Sequence, residues 1–145
     1  MCLFFCVVTF EYISGFFDAD GSITMVRHSK SSKLKQIKID FTNVERHILL
    51  EIQACLLEVG IKSHMAKKPA RKQTHRESYS LTVNSNQHCI SLCRLLTSRH
   101  PVKKHRITTI LKYHDAVTVR NGKYTSKQLD RRLAYERLFF FPTFR

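Results

Sequence analysis

Residues 13–22, Ile-Ser-Gly-Phe-Phe-Asp-Ala-Asp-Gly-Ser, constrain the fold more than any other part of this 145-residue chain. The apolar run before them and the stop signal Asp20-Gly21 define a first helix over residues 9–19. Ser14, Gly15 and Ala19 are small, and Gly15 and Ala19 stand four apart on one helical ridge. Two such helices can approach backbone to backbone, so the segment offers a symmetric contact to a second copy of itself. Its end carries Asp18 and Asp20, although a helix C-terminus is partially negative and disfavours anions. That cost points to a task. Carboxylate oxygens suit a hard divalent cation such as Mg²⁺, and Asp20 is the better placed for it. Asp18 stays open between metal binding and hydrogen bonding in the turn. A calcium-loop reading of Asp-Ala-Asp-Gly-Ser lacks the downstream Glu and a third acidic ligand.

The rest of the chain is read from its periodicities. Residues 22–28 form a first strand. Residues 34–42 form a second, where Ile37, Ile39 and Phe41 alternate with Lys38, Asp40 and Thr42. Residues 45–59 make a helix with Ile48, Leu49, Ile52, Leu56 and Val59 on one stripe, stopped by Gly60. Strands follow at 61–67 and 78–83, joined by a basic turn over 68–76. The cluster Asn84-Ser85-Asn86-Gln87 starts a helix that reaches residue 98. Pro101 opens another that reaches residue 119, and residues 126–140 form a last helix with Phe139–Phe141 packed on the body. This order makes one α+β domain over residues 1–145. It has a four-stranded antiparallel sheet covered by helices on one face, an extension over 1–9 and a tail over 126–145.

Charge narrows the partner. The chain has 25 Lys and Arg against 11 Asp and Glu, a formal net charge of +14. A folded domain this basic meets a polyanion, nucleic acid before an anionic membrane surface. The apolar opening run MCLFFCVVTF is ten residues long, short of the about 20 that a bilayer span needs. It also lacks the basic lead and cleavage site of a secretion leader. Neither a membrane nor a secreted location is expected. The five cysteines (Cys2, Cys6, Cys55, Cys89 and Cys93) match no disulfide or zinc spacing and read as free thiols.

The uncovered sheet face then becomes the candidate interface. It presents Thr24, His28, Gln36, Lys38, Asp40, Lys62, His64, Ser78, Ser80 and Thr82, side chains suited to base edges in a major groove. Lys30, Lys33, Lys35, Arg71, Lys72 and Arg76 in the hairpin loops are placed to reach phosphates. Any antiparallel sheet has a polar, solvated face. The net charge tips the reading to nucleic acid.

Residues 13–22 also resemble the signature of the LAGLIDADG homing endonucleases. The first Gly, the two Asp around a small residue and the final Gly are in place. Ser14 stands for the usual Ala, and Phe16-Phe17 for two aliphatics. The resemblance covers roughly residues 12–119. It implies an αββαββα fold whose sheet forms a saddle on double-stranded DNA. It implies Mg²⁺ held by Asp20 and the backbone near Ala19, with no small-molecule cofactor. Only one signature is present, so the resemblance is to the homodimeric branch, with Tyr12, Ser14, Gly15, Asp18 and Ala19 at the seam. Such a pair cuts both strands of a long, nearly palindromic site. Two more positions carry over as catalytic: Asn43 at the end of the second strand, whose alternative role is a helix N-cap, and Lys103, chosen over the adjacent Lys104. The family's habit of residing in organellar introns implies a chloroplast or mitochondrion. Three rivals remain: an intron maturase that binds RNA, an inactive DNA-binding module of the same fold, and a structural RNA binder. The last leaves the signature unexplained.

Overall fold

The first helix begins because Thr9, in extended conformation, accepts the Tyr12 N–H on its side chain and so caps an otherwise unpaired donor. A computed structural model of the protein describes residues 8–70 and 76–141. The elements are α1 (Phe10–Asp20), β1 (Gly21–Arg27), β2 (Lys35–Asn43), α2 (Arg46–Glu58), β3 (His64–Lys68), β4 (Ser78–Val83), α3 (Asn86–Leu95), α4 (Pro101–Val117) and α5 (Ser126–Phe140). The expected α+β order is therefore present. The four strands form one antiparallel sheet in the order β1-β2-β4-β3.

Register fixes which side chains share a face. Gly21 pairs with Phe41, Ile23 with Ile39, Ile39 with Val83 and Met65 with Leu81. Ile23, Met25, Ile37, Ile39, Phe41, Leu81 and Val83 are buried on that side. Against them lie Ile13 and Phe17 of α1, Leu49, Ile52 and Leu56 of α2, and Cys89, Leu92 and Cys93 of α3. Each large apolar side chain removed from water contributes about 1.5–3 kcal/mol, so this layer holds the sheet to its helices. α4 runs along β1, and α5 packs on α4.

Several boundaries differ from the sequence reading. Ile61 is buried but lies ahead of β3, which starts at His64, so Lys62 sits in the loop with its N–H donating to His88 Nδ1 at 2.7 Å. Val59 is 48% exposed, and Cys55 takes the place on the buried stripe assigned to it. Gly60, at φ +82°, makes the turn after α2. Phe139 is fully buried, Phe140 half-buried and Phe141 75% exposed, so the packed tail ends at Phe140. Cys89 and Cys93 are free thiols in the core, and Cys55 is buried there with them.

Candidate active site and nucleic-acid interface

α1 passes directly into β1, and the junction explains Gly21. Its backbone angles are ordinary extended ones, φ −96° and ψ 166°. A Cβ there would lie 2.7 Å from the Phe17 carbonyl oxygen and 2.8 Å from the Phe17 Cα. The glycine is required by space, not by a left-handed turn. Gly15 is the opposite case: beyond its own stretch of helix backbone, nothing among the described residues lies within 4 Å of the Cβ it lacks.

The small residues of α1 divide accordingly. Ser14 is 5% exposed, and its hydroxyl accepts the Thr97 N–H at 2.9 Å. Its smallness is used inside the chain. Tyr12, Gly15 and Ala19 are exposed and, at spacings of three and four, lie along one side of the helix.

The helix end gathers three charged side chains. Asp18 accepts from the Ser98 hydroxyl on one oxygen and from the Arg99 N–H, at 2.8 Å, on the other. Both partners come from the linker between α3 and α4, a long-range tie and not a bond within the turn. Partial burial pushes the Asp18 pKa up. The Ser98 and Arg99 hydrogen bonds and the charges of Lys103 and His100 outweigh it, and the carboxyl sits below its ordinary value. Lys103 donates from Nζ to the carbonyls of Phe17 and Asp18, at 2.8 Å each. It thus places a cation on the negative end of α1. Burial lowers its pKa, opposed by Asp18 and Asp20. Asp20 is exposed, and its carboxylate makes no hydrogen bond or ion pair among the described residues. Lys104 is exposed and does not share the Lys103 contacts, so the structure brings Lys103 to this end. Asn43 lies in β2 two residues past the Gly21–Phe41 pair, and its side-chain oxygen accepts the Glu45 N–H at 2.8 Å. Glu45, not Asn43, occupies the N-cap of α2.

The oxygen donors here fit Mg²⁺ in kind, since that ion keeps several waters and takes few protein ligands. In number they are few. One copy offers the Asp20 carboxylate and the neighbouring Ala19 backbone, and the described residues hold no cluster of three His, Cys, Asp or Glu.

The uncovered face is laid out in rows by the same register. One row is Ser22, Asp40, Thr82 and His64; the next is Thr42, Ser80 and Ala66. Thr24 faces Lys38, Val26 faces Gln36, and Ser78 faces Lys68. Thr24, Gln36, Lys38, Asp40, His64, Ser78, Ser80 and Thr82 all lie on this face, as expected. Ser22, Thr42 and Lys68 share it beyond the expected set, and strand parity alone is enough to find them. The Thr82 and Ser80 hydroxyls donate to Asp40, and Lys38 lies 3.6 Å from its other oxygen.

Three placements depart from the expectation. His28 follows the end of β1 and Lys62 precedes β3, so neither is a strand residue. Lys35 is not in the hairpin loop. It opens β2 with the parity of Ile37, and its ammonium lies 4.4 Å from the Phe140 ring centroid on the helix side. Lys30 and Lys33 are exposed in the β1–β2 loop, as is Arg76 before β4. Arg71 and Lys72 lie outside the described residues.

The polar residues that sequence reasoning missed tie helices to backbone. Arg106, three after Lys103 on α4, donates to the Ile23 carbonyl at 2.7 Å. On α5, Arg132 and Glu136 are 3% and 6% exposed. Arg132 donates to the Lys35 carbonyl at 2.8 Å and Glu136 accepts the Lys35 N–H at 2.7 Å, so the pair grips one residue of β2 from both sides.

A helix-backed antiparallel sheet with a polar outer face and a carboxylate-ended helix leading into its edge strand is the LAGLIDADG endonuclease architecture. The homing endonuclease I-TnaI superposes with a TM-score of 0.61 at 13% identity, over 94% of this chain and 90% of that one. The archaeal intron-encoded homing endonuclease I-Vdi141I, complexed with DNA, gives 0.58 at 14% identity, over 94% and 86%. The meganuclease I-SmaMI, bound to uncleaveable DNA, gives 0.59 at 14% identity over 90% of this chain but only 44% of its own. At such identities the likeness is one of fold. No curated protein matches at a significant level. Residues 8–96 match the sequence profile of the LAGLIDADG-like domain, and the chain belongs to the LAGLIDADG family.

Proposed function

We propose that this protein is a site-specific DNA endonuclease that acts as a pair of identical copies with Mg²⁺, breaking both strands of a long, nearly palindromic site. The observation that carries the reading is the end of α1. Asp18 is committed to Ser98 and Arg99, while Asp20 beside it is exposed and unengaged. An anion left at the negative end of a helix is a standing cost, and a bound cation relieves it.

One Asp20 is too few ligands for a hard cation. The Asp20 carboxylate and Ala19 backbone of each copy would hold the ion together, with the second copy meeting the first across the α1 face. Tyr12, Gly15 and Ala19 form the contact between copies, while Ser14 and Asp18 brace each α1 within its own chain. Bound there, Mg²⁺ supplies Lewis acidity toward the phosphate and a more acidic water. Lys103, held on the α1 carbonyls, keeps positive charge close to the position of the scissile phosphate. Asn43 shapes the turn into α2 through the Glu45 N–H. The face from Thr24 to Thr82 reads base edges, and Lys30, Lys33 and Arg76 meet phosphates. Two-fold symmetry then gives one reacting centre per strand.

Selection for cut ends tests the reading. The protein is incubated with Mg²⁺ and a library of duplexes, and the ends released are sequenced. A defined, near-symmetric site is expected. Tight binding to one duplex that is never cut would defeat the proposal.

A further inference from the structure

We propose that the cleft between the β1–β2 hairpin and the α4–α5 connection binds a backbone phosphate of the DNA, outside the part of the site covered by the sheet. The cleft has a volume of about 670 Å³. Its walls carry His28, Lys33 and Lys35 from the hairpin side, Arg120 from the connection and Arg132 from α5, and no carboxylate among the described residues.

Those five side chains do different things. Arg132 is internal: its guanidinium donates to Thr118 Oγ1 at 2.6 Å and to the Lys35 carbonyl at 2.8 Å. One buried cation therefore holds the two walls at a set spacing. The Lys35 ammonium lies over the Phe140 ring. His28, Lys33 and Arg120 are exposed and make no hydrogen bond or ion pair among the described residues. Three donors converge on one cleft with no acceptor of their own, which is the chemistry of an oxyanion site.

The connection that carries Arg120 is a built turn. The Val119 N–H donates to the Tyr124 hydroxyl at 3.2 Å, and the Gly122 N–H to the Val119 carbonyl at 3.2 Å. Gly122 has φ +68°, a conformation other residues adopt rarely. The location selects the anion. Gln36 lines the cleft and also stands on the uncovered sheet face opposite Val26. A duplex lying on that face passes the mouth of the cleft at the hairpin end, so the anion on offer is its own backbone.

This inference rests on DNA binding by the sheet face, and the experiment separates the two. Duplex binding is measured against salt for wild type and Arg120→Ala. The expected change is a fall in the slope of log K against log salt by about 0.9 for each phosphate that is no longer neutralised. Affinity should fall equally for all sequences, with base preference and cleavage rate kept. The loss should vanish with a duplex trimmed at both ends. Unchanged slope and affinity on the long duplex overturn the inference. So does a loss that persists on the trimmed duplex, or binding of inorganic phosphate that depends on Arg120 while duplex binding does not. A wild-type protein that binds no duplex at all defeats the DNA reading instead. Arg120 is exposed and unbonded, so its removal leaves the fold intact; equal melting temperatures of the two proteins verify this.

Discussion

Gly15→Ala separates what α1 does inside one chain from what it does between two. Beyond its own stretch of helix backbone, no atom of the described residues lies within 4 Å of the added methyl, so a lone copy gains from the change. Glycine inside a helix is about 0.8–1.0 kcal/mol worse than alanine. For a chain of this size that corresponds to about 2–4 °C in melting temperature. Between two α1 helices packed through Gly15 and Ala19 the same methyl occupies the closest approach. Overpacking of this kind costs about 1–3 kcal/mol. At 1.4 kcal/mol per factor of ten, self-association should weaken roughly five- to 150-fold. Sedimentation velocity over a concentration series reads the association, and thermal melts at a dilution where copies are separate read the fold. The expected pattern is a higher melting temperature with weaker pairing. Pairing at wild-type strength refutes the proposed α1 contact, and a lower melting temperature at dilution refutes the open space assigned to Gly15.

Two further outcomes follow from the geometry. Gly21→Ala drives a methyl to within 2.8 Å of Phe17 backbone atoms. It should lower stability by about 1–3 kcal/mol in urea titrations, and a neutral result contradicts the close α1–β1 junction. His114 is 5% exposed. Burial, then the nearby Arg132 charge, depress its pKa to about 4, with Asp115 opposing. The folded chain holds this imidazole neutral, while the unfolded one protonates it near its ordinary value of about 6.5. Stability from this group is therefore full above that value and lost as pH falls toward 4, by about 3 kcal/mol. His114→Gln should flatten the urea midpoint between pH 7 and 4.5, and superimposable curves for the two proteins refute the assignment.

How much of this is legible in the sequence depends on the range of the interaction. The alternation of Ile37, Ile39 and Phe41 with polar neighbours makes β2 and its two faces readable, because strand parity is local. Lys35 shows what happens when that parity is not carried far enough. Its charge groups it with the loop lysines, but standing two residues from Ile37 puts it on the helix side. Ile61 looks like a strand residue because it is apolar, yet a buried side chain needs no ladder. The Asp18 cradle is out of reach. Ser98 and Arg99 lie about eighty residues away, and nothing local in either segment announces the other. Ser14 reads as seam because it is small, and its hydroxyl proves to be engaged with the Thr97 N–H inside the chain. The signature segment is legible as a small-residue face with carboxylates at its end. The structure separates the residues of that segment tied within the chain, Ser14 and Asp18, from the exposed Gly15, Ala19 and Asp20.

Cleavage by wild type and Asp20→Asn on one defined duplex tests the central claim most directly. The site recovered by selection is placed in a plasmid, and both proteins are assayed with Mg²⁺ at concentrations that saturate binding. The account requires that wild type linearise the plasmid and that Asp20→Asn, which keeps the fold and the sheet face, bind equally well and leave it uncut. Cutting by Asp20→Asn at the wild-type rate would contradict the account and move the chemistry away from the end of α1.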